Sequence, residues 1–144
     1  MRFWDSSSIV PLIVEENETP KAKEIFRDNP GMFVAWITES EIYSALCRLE
    51  REAGLDVKSF DKCIGRLKRL SSKWQVVIPS SDLLEEIKRV LRLHPLRAAD
   101  AHQLASGILC SEREPRTLEF ITFDSRLKLA ARREGFTLSP GTLG

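Results

Sequence analysis

MRFWDSSSIV, residues 1–10, is the stretch from which the rest of the chain is read. Met1, Arg2, Phe3 and Trp4 are bulky enough for a short strand, and Ser6, Ser7 and Ser8 bring hydroxyls suited to a helix N-terminus. The switch from strand to helix falls at Asp5. In an open parallel α/β sheet, ligands bind outside the carboxyl ends of the strands, so a carboxylate there is placed for a metal or a phosphate. Aspartate is equally a favoured N-cap, and Asp5 taken alone fits either role. Only further acids in matching positions separate the two.

Working outward, Ser7 to Glu16 is too apolar for a loop and suits a buried helix with Pro11 in its first turn. Thr19 as N-cap and Pro20 at the first helical position open the next helix, which stops at Asn29, Pro30 and Gly31. MFVAWI, residues 32–37, is a continuous apolar strand, the pattern of a strand covered on both faces. Thr38 to Ala53 is an amphipathic helix with Ile42, Ala45, Leu46 and Leu49 on one face. A second helix runs from Asp56 to about Lys73, and WQVVI, residues 74–78, follows as the third strand. Asp82 with Glu85 has the spacing of a capping pair for a helix to Leu93 whose core face is Leu83, Leu84, Ile87, Val90 and Leu91. LRAADAHQLASGILC, residues 96–110, is a helix with a stripe of small residues. LEFITF, residues 118–123, is the fourth strand, leading to Asp124, a helix from Ser125 to Glu134, and a short fifth strand at Phe136 to Leu138. Strands alternating with helices throughout predict a single three-layer α/β/α domain over residues 1–144, with a mostly parallel sheet of about five strands.

Composition narrows the setting. Three cysteines, Cys47, Cys63 and Cys110, are odd in number and lack C-x-x-C spacing, which argues against disulfides and a zinc site. No signal-peptide pattern and no apolar run long enough for a membrane span is present, so a soluble, cytoplasmic protein is expected. The net charge of +1 points to no partner by itself. The helix with Lys58, Lys62, Arg66, Lys68, Arg69 and Lys73 is basic enough to face phosphates, or is simply a solvated face.

Asp5, Glu41 and Asp124 fall near carboxyl ends of strands and Asp100 near a helix start. Right-handed crossovers bring all of these to one edge of the sheet. Four unpaired carboxylates repel one another, and an all-oxygen donor set that holds a cation selects a hard one, Mg²⁺ or Mn²⁺. Each acid also has a local explanation. Glu41 has capping-box spacing to Thr38, Asp100 suits the positive end of its helix, and Asp124 can be an N-cap. Glu39 competes with Glu41 as the second acid.

In order and spacing, WDSSSIV, ITESEIYSAL, LRAADAHQLA and FITFDSRLKLA together resemble the acidic motifs of PIN-domain ribonucleases, and most of all the VapC-type toxins of VapBC toxin–antitoxin modules. The resemblance spans nearly the whole chain. It implies a PIN-like fold with Asp5, Glu41, Asp100 and Asp124 as the metal-binding, catalytic acids, and Ser7 and Thr122 as hydroxyls close to the site. It further implies cleavage of RNA to 5′-phosphate and 3′-hydroxyl ends, a VapB-like antitoxin as partner, and a homodimer.

A metal activates water for in-line attack on phosphorus, whereas a metal-free route needs an acid and a base, commonly histidines. His94 and His102 sit at structural positions, at a helix end and off the Asp100 face. Arg97, three residues before Asp100, either binds RNA phosphate or pairs with Asp100. Arg126, with Arg132 and Arg133, is a further candidate for backbone contacts. A receiver-type signalling domain fits less well, because TFDSRL lacks its lysine and Asp5 lacks a neighbouring acid. A catalytically silent RNA- or protein-binding module is the other alternative.

Overall fold

The structure is a computed structural model that describes residues 1–139. The chain runs β1 (Arg2–Trp4), α1 (Ser6–Ile13), α2 (Thr19–Asp28), β2 (Met32–Ala35), α3 (Thr38–Glu52), α4 (Val57–Ser71), β3 (Gln75–Val77), α5 (Ser81–Leu93) and α6 (Ala98–Cys110). A 3₁₀ turn at Pro115–Thr117 then leads to β4 (Glu119–Ile121), α7 (Ser125–Arg133) and β5 (Thr137–Leu138). The strands form one sheet in the order β3-β2-β1-β4-β5. Every pairing is parallel, with Phe3 opposite both Phe33 and Phe120. The chain first builds outward from β1 through β2 to β3, then returns to lay β4 on the other side of β1. That reversal puts the topological switch point between β1 and β4, where such sheets bind ligands.

Side chains alternate across the sheet, and the two cores follow from that alternation. Phe3 and Phe120 point to one face, where Leu83, Val90, Ala101, Leu104 and Leu127 of α5, α6 and α7 cover them. Trp4, Val34 and Ile121 point to the other, under Ile9, Ile25, Ile42, Leu46 and Leu67 of α1 to α4. The result is the expected α/β/α arrangement. Among the described residues no helix is long and apolar enough to cross a membrane. All three cysteines are free thiols.

Several local expectations change. Pro11 lies well inside α1, not in its first turn, because the helix already begins at Ser6 and ends two residues beyond the proline. Thr19 is not a cap, since its hydroxyl donates to the Pro11 carbonyl at 2.7 Å and the N-cap is Glu18. On α5, Ser80 supplies the cap through a bond from the Leu83 amide, in place of the Asp82 and Glu85 pair. Of the expected core face of that helix Leu83 and Val90 are buried, Leu84 and Leu91 are exposed, and Glu86 is buried as well, its carboxylate neutralised by Arg89 at 2.6 Å. On the basic helix α4, Arg66 donates to the Ile13 carbonyl at 2.8 Å, which commits that guanidinium to closing the end of α1.

Candidate active site

Asp5 leaves β1 with extended backbone and caps α1, its carboxylate accepting from the Ser8 amide. Ser7 donates its hydroxyl to the same carboxylate, 2.9 and 3.0 Å from the two oxygens. With its one proton spent there, Ser7 Oγ accepts from the Phe123 amide at 3.1 Å and from Thr122, whose hydroxyl lies 3.2 Å away. Thr122 Oγ1 in turn accepts from the Asp124 amide. A relay of bonds therefore ties the end of β4 to the carboxylate at the end of β1. Burial pushes the Asp5 carboxyl up to about 7, against the lowering effect of the bonds from Ser7, Thr122 and Ser8.

Asp124 caps α7, accepting from the Leu127 amide at 2.8 Å. Asp100 stands in the first turn of α6. Its carboxyl is pushed above the usual range by partial burial and by the charges of Asp124 and Glu41, with Arg97 and Arg126 acting in the opposite sense. Glu41 makes no capping box with Thr38. Its Oε1 accepts from the Ser6 hydroxyl and from the Gln103 amide, each at 2.7 Å.

All four acids line one cavity of about 450 Å³ above the switch point. Among the described residues none of the four enters an ion pair, although salt bridges occur elsewhere on the surface. The arrangement is open: no three His, Cys, Asp or Glu side chains among the described residues are grouped closely enough to hold an ion as they stand. The donor chemistry nevertheless suits a hard cation. It is all carboxylate oxygen, and the repulsion from Asp124 and Glu41 that adds to burial at Asp100 is what a divalent ion relieves.

The other expected residues divide by position. Glu39 faces away from the acid cavity into a separate pocket beside Trp36 and Trp74, which leaves Glu41 as the acid in the cluster. Ser7 lines the cavity, whereas Thr122 has no exposed surface and bears on Asp5 both directly and through its contact with Ser7. Arg97 is the exposed residue before α6, and neither it nor Arg126 lines the cavity; both act on Asp100 only through their charge. His94 closes α5 and lies 2.7 Å from Glu134, and His102 is half-buried; neither lines the cavity. Gln103, Ser6 and Arg48 belong to the cavity and were not anticipated. Gln103 falls one helical turn after Asp100, the spacing that could have singled it out.

No protein-family model matches the chain, and no curated protein sequence matches it. Among solved structures, PAE2754 from Pyrobaculum aerophilum is similar with a TM-score of 0.62 at 21% identity, covering 95% of this chain and 87% of that one. FitAcB from Neisseria gonorrhoeae is similar with a TM-score of 0.67 at 15% identity, covering 100% of both chains. At these identities the likeness is one of fold, and it bears out the expected PIN-like three-layer architecture with its five-stranded parallel sheet.

Proposed function

We propose that this chain is a Mg²⁺- or Mn²⁺-dependent endoribonuclease, a cytoplasmic single-domain toxin of a type II toxin–antitoxin pair. The observation that carries the reading is four carboxylates from separate elements sharing one cavity, none of them in an ion pair among the described residues. Such a cluster is costly to keep ionised in a folded protein unless a cation occupies it. The PIN-like fold and the location at the switch point support it.

Asp5, Glu41, Asp100 and Asp124 would hold the metal. When bound, it would supply a water of lowered pKa and stabilise the leaving oxygen. The chain's own groups set the geometry. Ser7 aims the Asp5 carboxylate, Gln103 and Ser6 aim Glu41, and the Leu127 amide fixes Asp124. Arg48, on the cavity wall and in no ion pair among the described residues, is placed to meet a backbone phosphate of the RNA.

The test is cleavage of single-stranded RNA with Mg²⁺ or Mn²⁺, with a chelator, and by a folded D100N variant. Cleavage that depends on metal and on Asp100, leaving 5′-phosphate ends, is the expected result. Unchanged cleavage by D100N removes the mechanism, and absence of cleavage by the wild type with intact RNA binding identifies a silent binding module. Growth arrest on expression, relieved by a co-expressed VapB-like antitoxin, tests the toxin role. Sedimentation of the purified chain tests the homodimer.

A further inference from the structure

On the far side of α3 from the acids, a second cavity of about 340 Å³ is lined by Val34, Trp36, Glu39, Ser40, Trp74 and Val76. Val34 and Val76 are paired residues of β2 and β3, the first buried in the core and the second exposed. Trp36 follows the carboxyl end of β2 and is 58% exposed, an unusual position for so large an apolar side chain. Trp4, the remaining tryptophan, packs on Phe26, but neither Trp36 nor Trp74 enters a ring–ring contact among the described residues. Trp74 is partly buried against the core of that face of the sheet, and Trp36 is the more open of the two.

Ser40 lines both this cavity and the acid cavity, so the two adjoin at the start of α3. One occupant suits the pair of cavities. A single-stranded RNA laid along the carboxyl rim of the sheet would bring a phosphodiester to the acids and an adjacent base to the tryptophans. Aromatic side chains stack on unpaired bases. Glu39, acceptor-only when ionised, would reject a bare carbonyl edge and accept from an amino group.

Resting on the ribonuclease reading, we propose that the Trp36–Trp74 cavity is a base-binding subsite that selects an unpaired nucleobase carrying an exocyclic amino group next to the cleaved phosphodiester. Adenine, cytosine and guanine carry such a group, and uracil, whose one ring donor is N3–H, does not.

The experiment measures binding of fluorescein-labelled twelve-nucleotide oligo(A), oligo(C) and oligo(U) to the full chain carrying D100N in Mg²⁺, so that RNA is held and not cut. Preference for oligo(A) and oligo(C) over oligo(U) is expected. W36A in that background weakens their binding about 5- to 150-fold, the loss of one base–aromatic stack. W36F restores most of it, and E39Q brings oligo(U) level with the others. Unchanged binding by W36A, or equal wild-type binding of all three RNAs, overturns the subsite. If W36A binds RNA normally but no longer associates with a co-expressed protein partner, the surface is a protein interface and the proposal is wrong. Metal-dependent cleavage by the wild type, with RNA binding that neither W36A nor the choice of base alters, overturns the subsite alone, whereas a chain that neither binds nor cuts RNA overturns the ribonuclease reading with it.

Discussion

Gln103 donates its side-chain amide to the Glu41 carboxylate at 2.7 Å, joining α6 to α3 across the floor of the acid cavity. The same nitrogen lies 2.9 Å from Ser6 Oγ and 3.1 Å from Thr38 Oγ1. Two amide hydrogens thus face three acceptors, and the carboxylate, being charged, takes the stronger bond. The amide orientation follows, because the reverse would set two oxygens against each other. Gln103 is itself buried, while the bond, on the cavity wall, is partly buried.

The first prediction is that Q103A folds but cleaves RNA about 10- to 100-fold more slowly at saturating Mn²⁺, the usual loss when a group orienting a metal ligand is removed. A thermal melt establishes folding and single-turnover cleavage gives the rate. Wild-type cleavage by Q103A would show that Glu41 needs no orientation.

Asp124 is both a helix cap and a cavity acid, and two substitutions separate these roles. Asparagine caps a helix about as well as aspartate, whereas alanine costs about 1 kcal/mol. D124N should therefore unfold in urea at the wild-type midpoint, and D124A at a lower one, with cleavage lost in both. Retained cleavage by D124N would reduce Asp124 to its cap.

Asp5 gives the pH dependence. Burial raises its carboxyl from 3.8 to about 7, so the folded chain binds that proton more tightly than the unfolded one. The stabilisation by the protonated form is complete below about pH 4, declines as pH rises through that window, and is gone above about pH 7. D5N keeps an uncharged cap at every pH. Its melting temperature should nearly match wild type at about pH 4.5 and exceed it most above about pH 7, in metal-free buffer. Added Mn²⁺ should then raise the melting point of wild type at alkaline pH and leave D5N little changed. A D5N advantage that does not grow with pH contradicts the buried, destabilised carboxylate.

Much of this arrangement was legible before the structure. MFVAWI and LEFITF carry the unbroken apolar pattern of strands covered on both faces, and each is followed by an acid near a helix start. The second acid was not resolved by pattern. Glu39 and Glu41 are two residues apart, about 200° around a helix, and both suit an exposed face until the neighbouring elements decide which side meets the cavity. Gln103 was hidden for a different reason: it sits within the small-residue stripe of α6, where composition suggests packing alone. The cap of α5 was misplaced because Ser80 and Asp82 are both good caps, and the choice depends on where the strand before them ends.

The small-residue stripe makes a last prediction, in which one substitution has opposite signs at two helical glycines. A Cβ on Gly107 would meet two ring carbons of Phe120 at 2.9 and 3.0 Å and the Phe136 ring at 3.3 Å. Phe120 cannot retreat, since it stacks on Phe3 with ring centroids 5.0 Å apart and lies as close to Phe136. Alanine gains about 1 kcal/mol of helix propensity over glycine, but overpacking a filled core costs about 1–3 kcal/mol, and with rings wedged on both sides the steric cost wins. At Gly65 the nearest atom is the mobile end of Arg69 at 3.9 Å, so G65A keeps the propensity gain. Urea denaturation should show G65A more stable than wild type by about 0.5–1 kcal/mol and G107A less stable. Because α6 also carries Asp100 and Gln103, the shift forced by G107A should lower cleavage in the folded fraction as well, while G65A leaves it unchanged. Equal stabilisation by both substitutions would mean that α6 does not approach Phe120 as closely as the core requires.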